Sequence, residues 1–186
     1  MSLPEFIRSE LPGVSRSDRT LVLSRALESE VATQLTQHLT LLDREGNDPV
    51  RLMLTNVPDG DAEAACSIVD VMRSMDAPVT VICGGGIQGA GLLLLTGAAE
   101  EHRIALENVR FRFQPPTVAA GGGETVDDVA DRKADIERRV ARLLADATGQ
   151  SGARIREDLA AHTSLTAEEA VNYGLVHRII SRTDKK

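Results

Sequence analysis

Residues 79–110 read VTVICGGGIQGAGLLLLTGAAEEHRIALENVR, and the order of side-chain types along them decides the fold. The β-branched run from Val79 to Ile82 predicts a buried strand, Gly84, Gly85, Gly86, Gly89 and Gly91 follow, and Leu92 to Leu95 predict a buried helix. The chain is therefore expected to turn sharply from a strand into a helix N-terminus. The first helical N–H groups lack partners within the helix and point over such a turn, where they stabilise negative charge. In hydrolases built on this geometry the reacting hydroxyl sits on the turn itself. Between Cys83 and Gly91 this chain offers no Ser or Thr.

Outward from that segment the alternation of strand and helix continues. Thr20 to Leu23 reads as a short strand. Glu28 to Leu42 sets Val31, Leu35, Leu39 and Leu42 on one helical face, and Arg51 to Thr55 follows as a strand ending in the Asn56 to Asp61 loop. Ala62 to Met75 is a helix with Ala65, Val69 and Met72 inward, stopped by Asp76-Ala77-Pro78. This rhythm predicts an α/β fold of repeated βα units on a parallel sheet with right-handed crossovers. Ala119 to Gly123 reads as a flexible link. Val126 to Ala147 is a long helix carrying Val126, Val129, Ile136, Val140, Leu143 and Leu144 among charges, a stripe too exposed for one small domain. It packs either on its own sheet or on a second subunit. Residues 1–19 are polar, with Pro4, Pro12 and Gly13, and are expected to form an arm that orders only against a partner; residues 20–186 form one domain.

Composition narrows the function classes. The 186 residues are 42% hydrophobic but only 2% aromatic, which leaves little surface for stacking bases or sugars, and 28 acidic residues against 21 basic ones give a net charge of −7. Nucleic-acid binding is not expected. Cys66 and Cys83 fall in a predicted helix and a buried strand without metal-ligand spacing or a disulfide framework, which fits a reducing, cytoplasmic setting. The stretch MSLPEFIRSELPG lacks the pattern of a signal peptide, and no run of about twenty apolar residues predicts a membrane span. Asp59, Asp61 and Glu63 sit at a helix start, where acids cap and favour the dipole, so neither a metal nor a cofactor is expected.

The glycine-rich segment resembles the ClpP family, the proteolytic subunits of ATP-dependent Clp proteases within the crotonase-like superfamily. The family's C-M-G-Q-A-A-S-M-G-A overlays Cys83 to Leu92 without a gap. Its A-L-P-N-A-R-I-M-I-H-Q-P resembles Ala105 to Pro116. Its T-G-Q-S and S-A-x-E-A-x-x-Y-G-L-V resemble Thr148-Gly149-Gln150-Ser151 and Thr166 to Val176. The resemblance implies the ClpP/crotonase-like ββα superhelix with a protruding handle helix. It also implies a homo-oligomer built as a heptameric ring, stacked in pairs through the handle, or a ring mixed with an active ClpP paralogue, with a Clp ATPase as a further partner.

The same resemblance places Gly89 at the catalytic serine, Gln114 at the histidine and His162 at the orienting aspartate. An amide has no titratable nitrogen with which to take a hydroxyl proton. The oxyanion donors are expected to be the N–H groups of Asp59, standing in the family's N-S-P-G-G loop, and Ala90. The Asp59 side chain adds negative charge where an oxyanion should be held. Gln88 and Gln114 are expected either to meet as a peptide-binding groove or simply to fill the vacated space. His162 is expected to be structural or solvent-exposed, and Cys83 to be a core residue. Leu52 and Leu54 stand where ClpP subunits carry tyrosines of the pocket that docks the ATPase, or else alternate into the sheet. What the resemblance implies is a catalytically inactive, ring-forming subunit. A different reading of the same motif is a crotonase-type acyl-CoA enzyme, which needs an oxyanion hole but no serine.

Overall fold

The computed structural model describes residues 14–117 and 125–181. The expected link from Ala119 to Gly123 and residues 1–13 of the expected arm lie outside them. Strand β1 (Val14–Ser17) pairs antiparallel with β2 (Thr20–Leu23), and the chain continues through α1 (Ser29–Glu45) to β3 (Val50–Val57) and through α2 (Ala62–Ser74) to β4 (Val79–Gln88). Helix α3 (Ala90–Leu95) and a 3-10 turn at Glu100–His102 lead into β5 (Arg103–Leu106) and β6 (Arg110–Arg112). The chain ends as α4 (Val126–Thr148), α5 (Gly152–Ala160), β7 (Ser164–Thr166), α6 (Ala167–Tyr173) and β8 (Arg178–Ile180).

The sheet runs β1-β2-β3-β4-β5-β8, parallel from β2 onward, as the βα rhythm predicts. Two antiparallel pairs depart from that expectation. One is β6 with β7; the other is β1 with β2, which places residues 14–17 in the sheet rather than in an arm. The connecting residues Asp18 and Arg19 both have positive φ, 45° and 56°, the geometry of a two-residue hairpin turn. Arg19 is held there by tertiary contacts: its guanidinium donates to the carbonyls of Leu42, Gly46 and Asp48 and so closes the C-terminal end of α1. That compensation is invisible in a local Asp-Arg pair.

The core is aliphatic, as the composition requires. Leu35, Leu39 and Leu42 of α1 and Ala65, Val69 and Met72 of α2 are buried as their spacing predicts. Leu52 and Leu54 are both 0% exposed, so they alternate into the sheet and form no part of an exposed docking pocket on this protomer. Helix α4 divides in two. Ile136, Val140, Leu143 and Leu144 are buried against the chain's own body, while Val126 at the other end is 85% exposed. The expected stripe is therefore satisfied in its C-terminal half and open in its N-terminal part. Among the described residues no helix is long and apolar enough to cross a membrane.

Strand β4 organises the site. Its first part pairs with β3 on one side, and Val81 to Cys83 pair with β5 on the other; farther along, Gly86 to Gln88 exchange β5 for β6. The run from Gly84 to Gly86, expected to be the turn, is thus still strand. Gly85, at φ +69°, supplies the irregularity where the partner changes, and the Asn56 side chain accepts the Gly86 N–H at 3.1 Å across it. Only Gly89 turns.

Two outcomes follow from this architecture. Leu54→Ala, in the strand beside β4, should lower the free energy of unfolding by about 2–5 kcal/mol in urea titrations; a loss near zero would contradict its place in the core. The capping-box carboxylates of Asp128 on α4 and Glu169 on α6 are held below the ordinary carboxylate range by hydrogen bonds, the first mainly from the Thr125 side chain and the second mainly from the Thr166 backbone. Their stabilisation is complete above the unfolded-state pKa and is lost as pH falls through the depressed folded value. Carboxyl-carbon NMR should show both titrating below model-peptide values, and ordinary midpoints would contradict the caps.

Candidate active site

Three chain segments converge at the C-terminal end of β4. Gly89 joins β4 to α3 with φ 46° and ψ −116°, a conformation that costs a residue bearing a side chain about 1–3 kcal/mol and that strained strand-to-helix turns use to expose a nucleophile. Glycine occupies it without strain and without a reacting atom. The turn is tied down by the Gly89 N–H, which donates to the Arg112 carbonyl at 3.2 Å.

Pairing of β6 with Gly86 to Gln88 carries the chain onward to Gln114, beside Gln88. The two amides hydrogen-bond, Gln114 Nε2 donating to Gln88 Oε1 at 3.2 Å. Gln114 Oε1 is buried without a protein partner. Exchanging the amide's oxygen and nitrogen would leave the nitrogen orphaned instead, so one polar atom of Gln114 faces the cleft unmatched in either orientation. That cleft, about 240 Å³, is lined by Gly89, Ala90, Gln114 and Pro116 together with aliphatic residues of α3, α4 and α5. Among the described residues lining it, Gln114 is the single polar side chain. Even with the space open to solvent included, it falls below the roughly 300–1,000 Å³ of small-molecule pockets.

From the other side, the loop after β3 delivers Asp59. Its Oδ1 accepts the N–H of Gly60 at 2.8 Å and the N–H of Ala90 at 3.1 Å. Ala90 N–H is one of the two donors expected from the sequence; the second N–H on this oxygen is that of Gly60, the residue after Asp59, and not the expected Asp59 N–H. Asp61 Oδ1 accepts from the N–H groups of Glu63 and Ala64 and caps α2, so this member of the acidic trio acts as a cap.

His162 lies in the turn between α5 and β7, exposed, with φ 51°. The backbone brings it to the neighbourhood of Gln114, since Phe113 N–H donates to the Thr163 carbonyl at 2.9 Å, but its ring does not line the cleft. The fixed group nearest to it in sequence is Asp158, 2% exposed, which accepts from Thr163 Oγ1 at 2.9 Å, Tyr173 Oη at 2.6 Å and Arg154 Nε at 2.9 Å. Burial, and next the hydrogen bond to Asp158, push the Tyr173 phenol far up. This network locks the turn that bears His162, and sequence reasoning missed it; the tyrosine of the Y-G-L-V segment was the available signal. Cys83 is wholly buried within β4, and burial pushes its thiol up, so it is no nucleophile.

Acyl transfer needs a nucleophile, a base and anion donors around one carbonyl carbon. At this turn the donors are present, a carboxylate already sits on them, and the facing side chain is an amide.

Comparison with known proteins agrees with this architecture. A family model described as Clp protease matches residues 12–183. The chain is 32% identical over 163 residues to the ATP-dependent Clp protease proteolytic subunit 2 of Pseudomonas aeruginosa, spanning 87% of this chain and 81% of that protein. It is 28% identical over 183 residues to the ATP-dependent Clp protease proteolytic subunit of Paracoccus denitrificans, spanning 98% and 90%. Among solved structures, ClpP1 from Listeria monocytogenes superposes with a TM-score of 0.78 and a mutant of it with 0.80, each at 31% identity over 89% of this chain and 93% of that chain. These matches favour the Clp reading of the glycine-rich motif over the acyl-CoA one. With the sheet order, the turn and the long helix each explained by the chain's own residues, similarity across residues 12–183 makes this protein a member of the Clp protease family.

Proposed function

We propose that this chain is a non-catalytic subunit of a Clp-type protease assembly, contributing wall and contacts rather than peptide-bond hydrolysis. The observation that carries this reading is the chemistry of the cleft. At the turn where a nucleophile would project stands Gly89, and the one polar side chain among the described residues lining the cleft, Gln114, cannot accept a proton at neutral pH. His162, which aligns with the orienting position, is exposed and has no imidazole or carboxylate chain to orient.

The assembly is a ring of seven such chains, or a ring shared with an active relative, and the projecting part of α4 joins two rings. Support comes from that helix itself. Its N-terminal part is exposed along Val126, Asp127 and Asp128, and a helix draws most of its stability from packing on a neighbour rather than from its own residues. A Clp ATPase remains the natural partner of such a ring, although Leu52 and Leu54 contribute nothing to its docking from the surface of this protomer. Both cysteines are free and buried, which suits a reducing cytoplasm. Gln88 and Gln114 fill the vacated site as a hydrogen-bonded pair.

The purified chain should neither cleave fluorogenic peptides nor react with a fluorophosphonate, and Gly89→Ser alone should leave both readouts at background because no base is present. Labelling or turnover abolished by one substitution in this chain would defeat the inactive reading. Light scattering should give a mass of about seven or fourteen chains of 20.0 kDa, alone or with a co-expressed active relative. A monomer under both conditions would defeat the ring.

A further inference from the structure

We infer that the Asp59 carboxylate is the resident occupant of the Ala90 N–H at the β4–α3 turn, an internal anion that shuts this site against a ligand oxygen and against any side chain at position 89. The Ala90 N–H, one of the two donors expected to hold an oxyanion, donates to Asp59 Oδ1 at 3.1 Å, and the neighbouring Gly60 N–H closes on the same oxygen at 2.8 Å, so the place an anion would take on Ala90 is already filled by a carboxylate oxygen. Position 89 is what admits it. A Cβ built on Gly89 would overlap Asp59 Oδ1 and Cγ and come within 3.1 Å of the Asp59 Cβ. Any residue larger than glycine there must evict the carboxylate.

The loop is restrained just beyond Asp59: Asp61 N–H donates to the Leu27 carbonyl of the β2–α1 connection at 2.8 Å, and the Asp61 side chain caps α2, so a retreat of the backbone would break these bonds. Rotation of the Asp59 side chain would instead leave the Ala90 N–H, in a buried residue, without its partner. The acid at 59 and the glycine at 89 are therefore one device. A hydroxyl restored at the turn would meet a carboxylate where it needs empty donors. This inference concerns the turn alone and stands apart from the ring proposed above.

Four chains test it: the native protein, Gly89→Ser, Asp59→Gly and the double substitution, compared by thermal and urea unfolding. Gly89→Ser should lower the midpoint by several degrees in the native background and by less than half as much when Asp59→Gly is present. Equal losses in both backgrounds would overturn the inference, since the carboxylate would then be swinging aside at no cost. Should Gly89→Ser fail to fold, folding of the double substitution supports the inference. Should neither fold, amide exchange in Asp59→Gly alone decides: the Ala90 N–H should exchange at least about tenfold faster than in the native chain, and an unchanged rate overturns the inference.

Discussion

The bend at Gly89 is the constraint on which the rest of this molecule turns. At that one residue a ten-residue strand paired on both sides must become a six-residue buried helix, within reach of a loop from β3 and a segment from β6. The backbone meets it with φ 46° and ψ −116°, open to glycine and strained for other residues. Once the bend is made, the Ala90 N–H points out of the helix toward Asp59, Leu92 to Leu95 drop into the core, and Gln114 hydrogen-bonds Gln88 beside the cleft. The geometry that lets an enzyme expose a nucleophile is retained here by a residue with nothing to expose.

Electrostatics make the replacement self-consistent. Donors left empty at the end of a helix beneath an apolar cleft would cost free energy, and a catalytic site tolerates that because the charge it stabilises appears only in the transition state. This chain has a standing charge there instead. Likewise an imidazole in place of Gln114 would have to be kept neutral in aliphatic surroundings, whereas an amide carries no charge there and hydrogen-bonds Gln88. The supports beneath the site, Asn56 on Gly86 and the Asp158 network under the His162 turn, remain intact.

Much of the fold was legible in residue periodicity. The buried faces of α1 and α2 and the parallel order of β2 to β5 are dictated by aliphatic spacing that has no other way to be satisfied. The glycine run misled because conformational freedom says where a chain can bend, not where it does: Gly84 to Gly86 stay in β4, since the change of partner from β5 to β6 happens there. The hairpin at Asp18-Arg19 was hidden because its left-handed backbone is secured by Arg19 reaching the end of α1, a long-range contact. At the site, Gly89 and Gln114 could be named from motif spacing, and the opposition of Asp59 to an oxyanion from its charge. That its carboxylate enters the cradle depends on the missing Cβ at 89, a three-dimensional fact.

Electron density at the turn, from crystals of the chain soaked in a peptide boronic acid, tests the account most directly. The account predicts no covalent adduct anywhere at the bend and an Asp59 carboxylate oxygen within hydrogen-bond distance of the Ala90 N–H. An adduct, or an Asp59 side chain turned away with the boronate or a solvent anion on those donors, would contradict it.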